Sequence, residues 1–499
     1  MTVVHISELG ASARLSADVV VLGGGPAGLT VALDLAAAGV DVVVLESGTG
    51  NPATTRELDA GEVVGAPLVF GGIPMDLTGV RMRALGGSSG HWAGMCRPLD
   101  QIDFTARPWM ASSGWPITRD DLDPWYVRAA ETLQLGTTGF ESEAWFARTG
   151  AAPLLLPGPL DTVVYQFSPP VRFGTAFHDV LSAPEGPRVV LGSTAVEVAR
   201  DASGRRITAV SAVGLRGEAL EVAASSVVLA AGGYEVARLL LSWDAERGVA
   251  NSSGLVGRGF ADHPHRNAGQ VRVLLDGARP ALYGWGRAPG DELPVSVWAG
   301  WSPTDDAQRE MELANGVVLL RFADGPVSAV AEPTGVSGEI GPLLEWSRGR
   351  VPTVASIDVR TEQRGNPASR ITLGRQRDAT GLRRVRLDWQ PTALDDENGR
   401  RLVDLFAREL GRSGAGRVEV DPRGRPFGTV PINIGCHPMG TARMSDDPSL
   451  GVVDADLRAH DVENLFVCSS AVFPTGGHAN PTMTIVALAH RLAAHLVSG

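Results

Sequence analysis

The run Asp18-Val19-Val20-Val21-Leu22-Gly23-Gly24-Gly25-Pro26-Ala27-Gly28 decides how this chain folds. A β-branched stretch of strand length stops at three glycines, a helical pattern runs from Pro26 to Ala38, Gly39 ends it, and Val40 to Leu45 reads as a second strand. That is a βαβ unit. Gly23, Gly25 and Gly28 supply the G-x-G-x-x-G spacing: one for a tight turn, one to let backbone approach a pyrophosphate, one for close packing of strand on helix. The helix N-terminus then turns its free N–H groups toward the phosphates. Glu46 closes the second strand, 18 residues after Gly28, where a carboxylate can hydrogen-bond an adenosine ribose. The fingerprint stands near the N-terminus and is not repeated, which favours one tightly held FAD over NAD.

A second strand-then-glycine signal, Ser226-Val227-Val228-Leu229-Ala230-Ala231-Gly232-Gly233, leads into a helical stretch from Glu235 to Ser242, so the same sheet is expected to be re-entered late in the chain. Asp100 to Val180 and Asn267 to Pro431 carry Trp residues, Pro breaks and alternating segments such as Ser369-Arg370-Ile371-Thr372-Leu373 and Arg384-Val385-Arg386-Leu387-Asp388-Trp389. These predict an antiparallel sheet with flanking helices. The expected fold class is α/β: a discontinuous Rossmann-like FAD-binding domain from residues 1–100, 181–266 and 432–499, with an α+β substrate domain on an antiparallel sheet from 101–180 and 267–431.

Composition removes whole classes of function. All 44 basic residues among the 499 are Arg, so a pyridoxal Schiff base and a Walker phosphate loop, which need Lys, are excluded. The formal charge of -12 and the absence of a basic stripe argue against nucleic acid. Cys96, Cys436 and Cys468 are too few and too dispersed for a disulfide framework or a thiolate metal cluster, and no metal is expected. Neither a secretory signal nor an apolar run of about 20 residues is present, so a cytoplasmic protein with no membrane partner is expected.

Two runs near the C-terminus, Gly435-Cys436-His437-Pro438-Met439-Gly440-Thr441 and Gly477-His478-Ala479-Asn480-Pro481-Thr482, set a base and an amide donor before a predicted helix from Thr482 to Val497. Oxidising an alcohol removes a hydride from carbon while the hydroxyl proton leaves, and a base beside that oxygen lowers the barrier. Histidine suits the task because its pKa lies near working pH. A further loop, Arg83-Ala84-Leu85-Gly86-Gly87-Ser88-Ser89-Gly90-His91-Trp92-Ala93-Gly94, combines small residues that let backbone approach a flat ring with a His and a Trp.

In these motifs the chain resembles the glucose-methanol-choline oxidoreductases, in particular their pyranose oxidase and C-glycoside 3-oxidase branch; the spacing of Gly86, Gly87, His91 and Trp92 is similar to that branch. The resemblance runs nearly the whole length; its strongest pieces are the N-terminal fingerprint, the loop at 81–99, Val227 to Leu240, Gly257-Arg258-Gly259-Phe260-Ala261-Asp262-His263-Pro264, Glu362 to Leu373 and everything after Gly435, while the rest of the middle domain matches only loosely. It implies that His437 is the base and that Asn480 donates to the substrate oxygen over the flavin. Gly87, Ser88 and His91 are implied to meet the flavin. Some pyranose oxidases bond this His covalently to it and some relatives do not; noncovalent FAD is the expectation here. Val196 falls where backbone meets the adenine. Ser469 stands where the family often has Asp and would hydrogen-bond a ribityl or phosphate oxygen without charge. Thr482 opens a helix whose N-terminus would face the reduced flavin's negative edge. His478 is expected either to touch substrate or to brace its loop.

The implied activity is oxidation of a secondary hydroxyl of a sugar or glycoside, at pyranose C2 or C3, to a ketone, with oxygen or a quinone as acceptor. The Trp-bearing middle domain is expected to wall the substrate cleft. Three alternatives stay open: a lyase with non-redox FAD, a quinone- or cytochrome-linked dehydrogenase subunit, and an enzyme of a cyclitol or antibiotic sugar. The oligomeric state is open as well.

Overall fold

A computed structural model of the protein describes residues 2–150, 152–273, 282–284, 296–322, 353–419 and 432–498. Parts of the expected 267–431 segment lie outside these residues.

The strand Ser12–Leu22 has alternating exposure in its first half and four buried residues, Val19 to Leu22, at its end. A strand buried on both faces must be covered by helices, which is the parallel-sheet arrangement. It occupies the middle of an eight-stranded sheet in the order Val3–His5, Arg188–Leu191, Val42–Glu46, Ser12–Leu22, Ala219–Leu229, Ile207–Val213, Thr194–Arg200, with Leu465–Val467 added to Ala219–Leu229. Leu22 is in register with Leu45 on one side and Leu229 on the other, both parallel, so the glycine loop leaves the sheet between two aligned strand ends. Gly23 donates to Leu45 O and Ala230 donates to Leu22 O. The helix Pro26–Ala37 follows, with Pro in its first turn. The final helix, Thr482–Ser498, packs on it, and the helix Arg119–Thr132 packs on that one.

Among the described residues a second sheet of eight strands is antiparallel throughout: Gly416–Glu419, Pro264–Val273, Thr353–Thr361, Gly316–Phe322, Ser296–Pro303, Leu160–Phe167 and Met95–Cys96, with Asn433–Ile434 beside Pro264–Val273. The helix Ala393–Arg412 covers it, burying Leu402, Val403, Leu405, Phe406 and Leu410. The predicted pair around residues 370 and 385 does form antiparallel strands, Arg370–Arg377 and Arg383–Asp388. They belong to a separate three-stranded sheet completed by Glu62–Val63. Among the described residues no helix is long and apolar enough to cross a membrane.

Four tryptophans do not serve the expected cleft wall, and Trp285 and Trp346 lie outside the described residues. Trp145, Trp298, Trp301 and Trp389 are fully buried, and Trp301 stacks on Tyr283 at 4.7 Å with Phe406 beside it. These indoles are core of the second sheet and its neighbours. They present no face to a sugar, because period-two alternation cannot tell which face of a sheet a helix will cover.

Candidate active site

Two antiparallel segments meet where the sheets adjoin. Pro264 and His265 pair with Ile434 and Asn433, and Ala261 exchanges backbone hydrogen bonds with Met439. Between these pairings, Asp262 and His263 face the four residues Gly435 to Pro438, so the second segment bulges. Cys436 takes φ +58°, a left-handed conformation that a residue with a Cβ seldom adopts and that marks a constrained turn. The Asp262 carboxylate holds the bulge: Oδ1 accepts from His263 N at 2.7 Å and Gly435 N at 2.8 Å, and Oδ2 from His437 N at 3.1 Å. Burial pushes Asp262 up to about 7 against these N–H donors.

The bulge turns His437 toward two partners. Its Nδ1 lies 2.9 Å from His263 Nδ1, with the rings edge to face, and its Nε2 lies 3.2 Å from Asn480 Nδ2. Burial, then His263, His265 and Arg360, hold His437 well below the ordinary histidine pKa. Gly435 has to be glycine here, since a Cβ would sit 2.7 Å from His437 Nδ1.

Asn480 sits on a loop wired from beneath. Gly477, at φ +53°, donates to Glu362 Oε1 at 3.2 Å, and a Cβ on it would meet Asp103 Oδ2 at 2.2 Å. Thr475 Oγ1 donates to the Asp103 carbonyl and accepts from Trp115 Nε1. His478, expected to touch substrate or brace the loop, is 2% exposed with both ring nitrogens engaged, Nε2 at 2.9 Å from Asp100 Oδ2 and Nδ1 against Tyr165 Oη. Its surroundings are those of a brace. Against the pull of burial, Arg97 and His478 hold the Asp100 carboxyl well below its usual range. Burial, with Glu362 and Asp100 nearby, pushes Asp103 well above it.

The glycine loop is tight at one glycine and open at another. A Cβ on Gly28 would sit 1.9 Å from Gly23 O, so strand and helix touch backbone to backbone, whereas a Cβ on Gly25 would meet nothing closer than Gly87 Cα at 4.0 Å. Gly87 lies across that gap at φ +52°. The helix Pro26–Ala37 has no side-chain cap and no acidic residue in its first turn, leaving its N-terminal N–H groups for an anion. Glu46 is buried and orients the loop, Oε2 accepting from Gly24 N and Oε1 from Gly48 N. Each oxygen keeps a lone pair for a ribose hydroxyl. Val196 falls in a β-bulge between Ala195 and Glu197, outside the strand pairing. Ser469 is buried, and its Oγ accepts from Ala471 N while its O–H stays available as a donor. Ser88 lies in the short 3-10 turn Gly87–Gly90, and His91 follows it with much of its surface open to solvent; partial desolvation of the ring, then the Arg172 charge, lower its pKa. Thr482 opens the last helix two residues after Asn480.

Sequence reading missed Asp262, His263, Glu362 and Arg107 as participants. Asp262-His263-Pro264 directly before a strand was a legible signal, since a charged and an imidazole side chain at a strand entrance need partners. Glu362 opens a stretch that carries the family resemblance, yet no role was legible for it, and Arg107 carried no signal because its partner lies 255 residues away.

Residues 366–489 match the GMC oxidoreductase family model and residues 16–57 an FAD binding domain. The chain is 27% identical to 2-methyl-1,2-propanediol dehydrogenase of Mycolicibacterium austroafricanum, over 95% of this chain and 94% of that one. A shorter match, 35% identical over 23% of this chain and 21% of the other, is to C-glycoside 3-oxidase of Arthrobacter globiformis. Among solved structures, pyridoxine 4-oxidase, given as from Mesorbium loti, shares the fold with a TM-score of 0.58 at 19% identity, covering 96% of this chain and 99% of that one.

Proposed function

We propose that this chain, an FAD-dependent GMC oxidoreductase acting on CH–OH groups, oxidises a secondary hydroxyl of a sugar or glycoside, at pyranose C2 or C3, to the ketone. The observation that carries the reading is the convergence of His437 Nε2 and Asn480 Nδ2 at 3.2 Å. An alcohol oxygen between them receives a hydrogen bond from the amide and gives its proton to the imidazole. Bound FAD supplies the two-electron acceptor for the hydride that leaves the carbinol carbon.

Every other part is protein. His437 begins neutral because burial and its neighbours disfavour its charged form, so one ring nitrogen keeps a free lone pair at neutral pH. Asn480 holds the oxygen without competing for the proton, since its amide does not titrate. Gly23, Gly25 and Gly28 with Glu46 would hold the adenosine and pyrophosphate; Gly87, Ser88, His91, Ser469 and Thr482 would hold the flavin portion, noncovalently at His91; and Val196 would meet the adenine. The similarity to a C-glycoside 3-oxidase favours a ring hydroxyl, and oxygen and a quinone both stand as acceptors. The chain is read as cytoplasmic.

Anaerobic mixing with a panel of sugars and glycosides tests the substrate class: bleaching of the flavin by pyranosides and not by simple primary alcohols is the expected result. A flavin that no sugar or glycoside bleaches rejects it. Reoxidation by oxygen against a benzoquinone identifies the acceptor. In His437→Ala, reduction slows about 10²–10⁴-fold with FAD still bound; unchanged reduction removes the base assignment.

A further inference from the structure

His263 and His437 face each other through Nδ1 atoms 2.9 Å apart, so one hydrogen lies between them. Its owner follows from the other end of His263. Nε2 of that ring is 3.3 Å from Gly476 O, and a carbonyl oxygen only accepts, so His263 Nε2 carries a hydrogen. Burial lowers His263 to about 4 and His437 well below its ordinary value, so near neutral pH each ring holds one proton. With its proton at Nε2, His263 has a bare Nδ1 that accepts. The shared hydrogen therefore belongs to His437 Nδ1. What His437 shows to Asn480 at its far edge is an Nε2 lone pair, which the Asn480 amide N–H meets.

We propose that His263 is a positioning residue that locks His437 in the neutral tautomer whose Nε2 is bare, the form able to take a proton from a hydroxyl beside Asn480. This rests on His437 being the base. The hydrogen bond made by one ring nitrogen decides which nitrogen is protonated, and catalytic histidines often owe their tautomer to a carboxylate. Here Asp262 is spent on backbone: its oxygens accept from the N–H groups of His263, Gly435 and His437. A neutral imidazole does the orienting instead, held by Gly476 O behind it and by the Asp262 bulge beside it. His265 does not compete, its ring centroid lying 6.3 Å from that of His437.

The test is 15N NMR of the resting, oxidised holoenzyme labelled at histidine, with the His437 signals found by their loss in His437→Gln. The expected pattern is a pyrrole-type Nδ1 and a pyridine-type Nε2 at His437. His263→Leu removes the acceptor, and the two tautomers then mix; anaerobic flavin reduction slows about 10²–10⁴-fold with little change in substrate affinity. His263→Asn places an amide oxygen near the lost Nδ1, restores the wild-type pattern and brings reduction within about tenfold of wild type. A wild-type His437 protonated at Nε2 overturns the proposal, and so does a pattern that His263→Leu leaves unchanged. A tautomer that shifts while reduction keeps its rate overturns the base role of His437, a failure distinct from the first two. Visible absorbance of bound flavin and the melting curve report whether each variant is folded.

Discussion

Arg107 and Glu362 lie fork to fork, Nη1 2.8 Å from Oε2 and Nη2 2.9 Å from Oε1, and both side chains are almost wholly buried. The same carboxylate accepts from Gly477 N and from Asn315 N, so one ion pair ties the end of the strand Thr353–Thr361 to the loop that carries Asn480. Burial opposes the charges, yet Arg107 keeps Glu362 below its ordinary pKa.

Removing Glu362 leaves the buried Arg107, among the described residues, with only the longer Asp103 contact at 3.9 Å, and breaking a buried pair costs up to about 3–5 kcal/mol. Glu362→Gln is expected to lower the melting temperature and to loosen the Asn480 loop. Urea or thermal melts of the single variant and of Arg107→Met/Glu362→Gln check this, the double variant regaining part of the loss. Equal destabilisation in both would show that the ion pair is not the source.

Gly435→Ala puts a Cβ 2.7 Å from His437 Nδ1 and 3.1 Å from Asp262 Oδ1. The ring has to swing away from His263. Flavin reduction is expected to fall about 10²-fold or more, while FAD content stays normal because the glycine loop is untouched. Stopped-flow reduction and the ratio of flavin to protein absorbance separate the two effects.

Gly28→Ala is expected to act the other way. Its Cβ would fall 1.9 Å from Gly23 O, backbone against which nothing flexible can yield. The helix Pro26–Ala37 would be pushed off its strand, with FAD lost and stability lowered by about 1–3 kcal/mol or more. Flavin release on gel filtration, with any remaining holoenzyme reduced at a near-normal rate, is the readout.

The buried histidines make both stability and rate depend on acid. His263 in the folded state lies at about 4, below the 6.5 of an unfolded histidine. A depressed group stabilises fully above its unfolded pKa and loses that contribution as pH falls through 6.5 toward 4, because the unfolded chain takes up the proton first. Wild type is therefore expected to lose roughly 3 kcal/mol more than His263→Asn over that window. Asp262, raised to about 7, pulls in the opposite sense in both proteins, which is why the comparison is made between them. Denaturant midpoints at several pH values measure the difference. Reduction by substrate is expected to hold its rate at neutral pH and to drop only well below 6.5, when His437 becomes charged.

Much of the fold was legible in short windows. Val19 to Leu22, the three glycines and Pro26 determine a strand, a turn and a helix through backbone torsion and periodicity, which are properties of adjacent residues. The helix predicted from Glu235 begins earlier, at Gly232, since tertiary packing holds two poor helix formers in place; Gly233 lies so close to Pro438 that a Cβ on it would clash with the Pro438 carbonyl oxygen. The candidate site was half legible: the motifs containing His437 and Asn480 stood out, while their neighbours did not.

By itself, then, the sequence determined the nucleotide-binding βαβ unit and the two loops bearing the imidazole and the amide, since turn chemistry and residue type are written locally. Only the tertiary structure decided that His263 meets His437 across 174 residues, that His478 is buried against Asp100 and Tyr165, and that Trp145, Trp298, Trp301 and Trp389 lie inside. Those outcomes depend on how Pro264–Val273 registers against Asn433–Ile434 and on which sheet face a helix covers. Register and burial are set by the whole chain packing at once, and no short stretch of it encodes them.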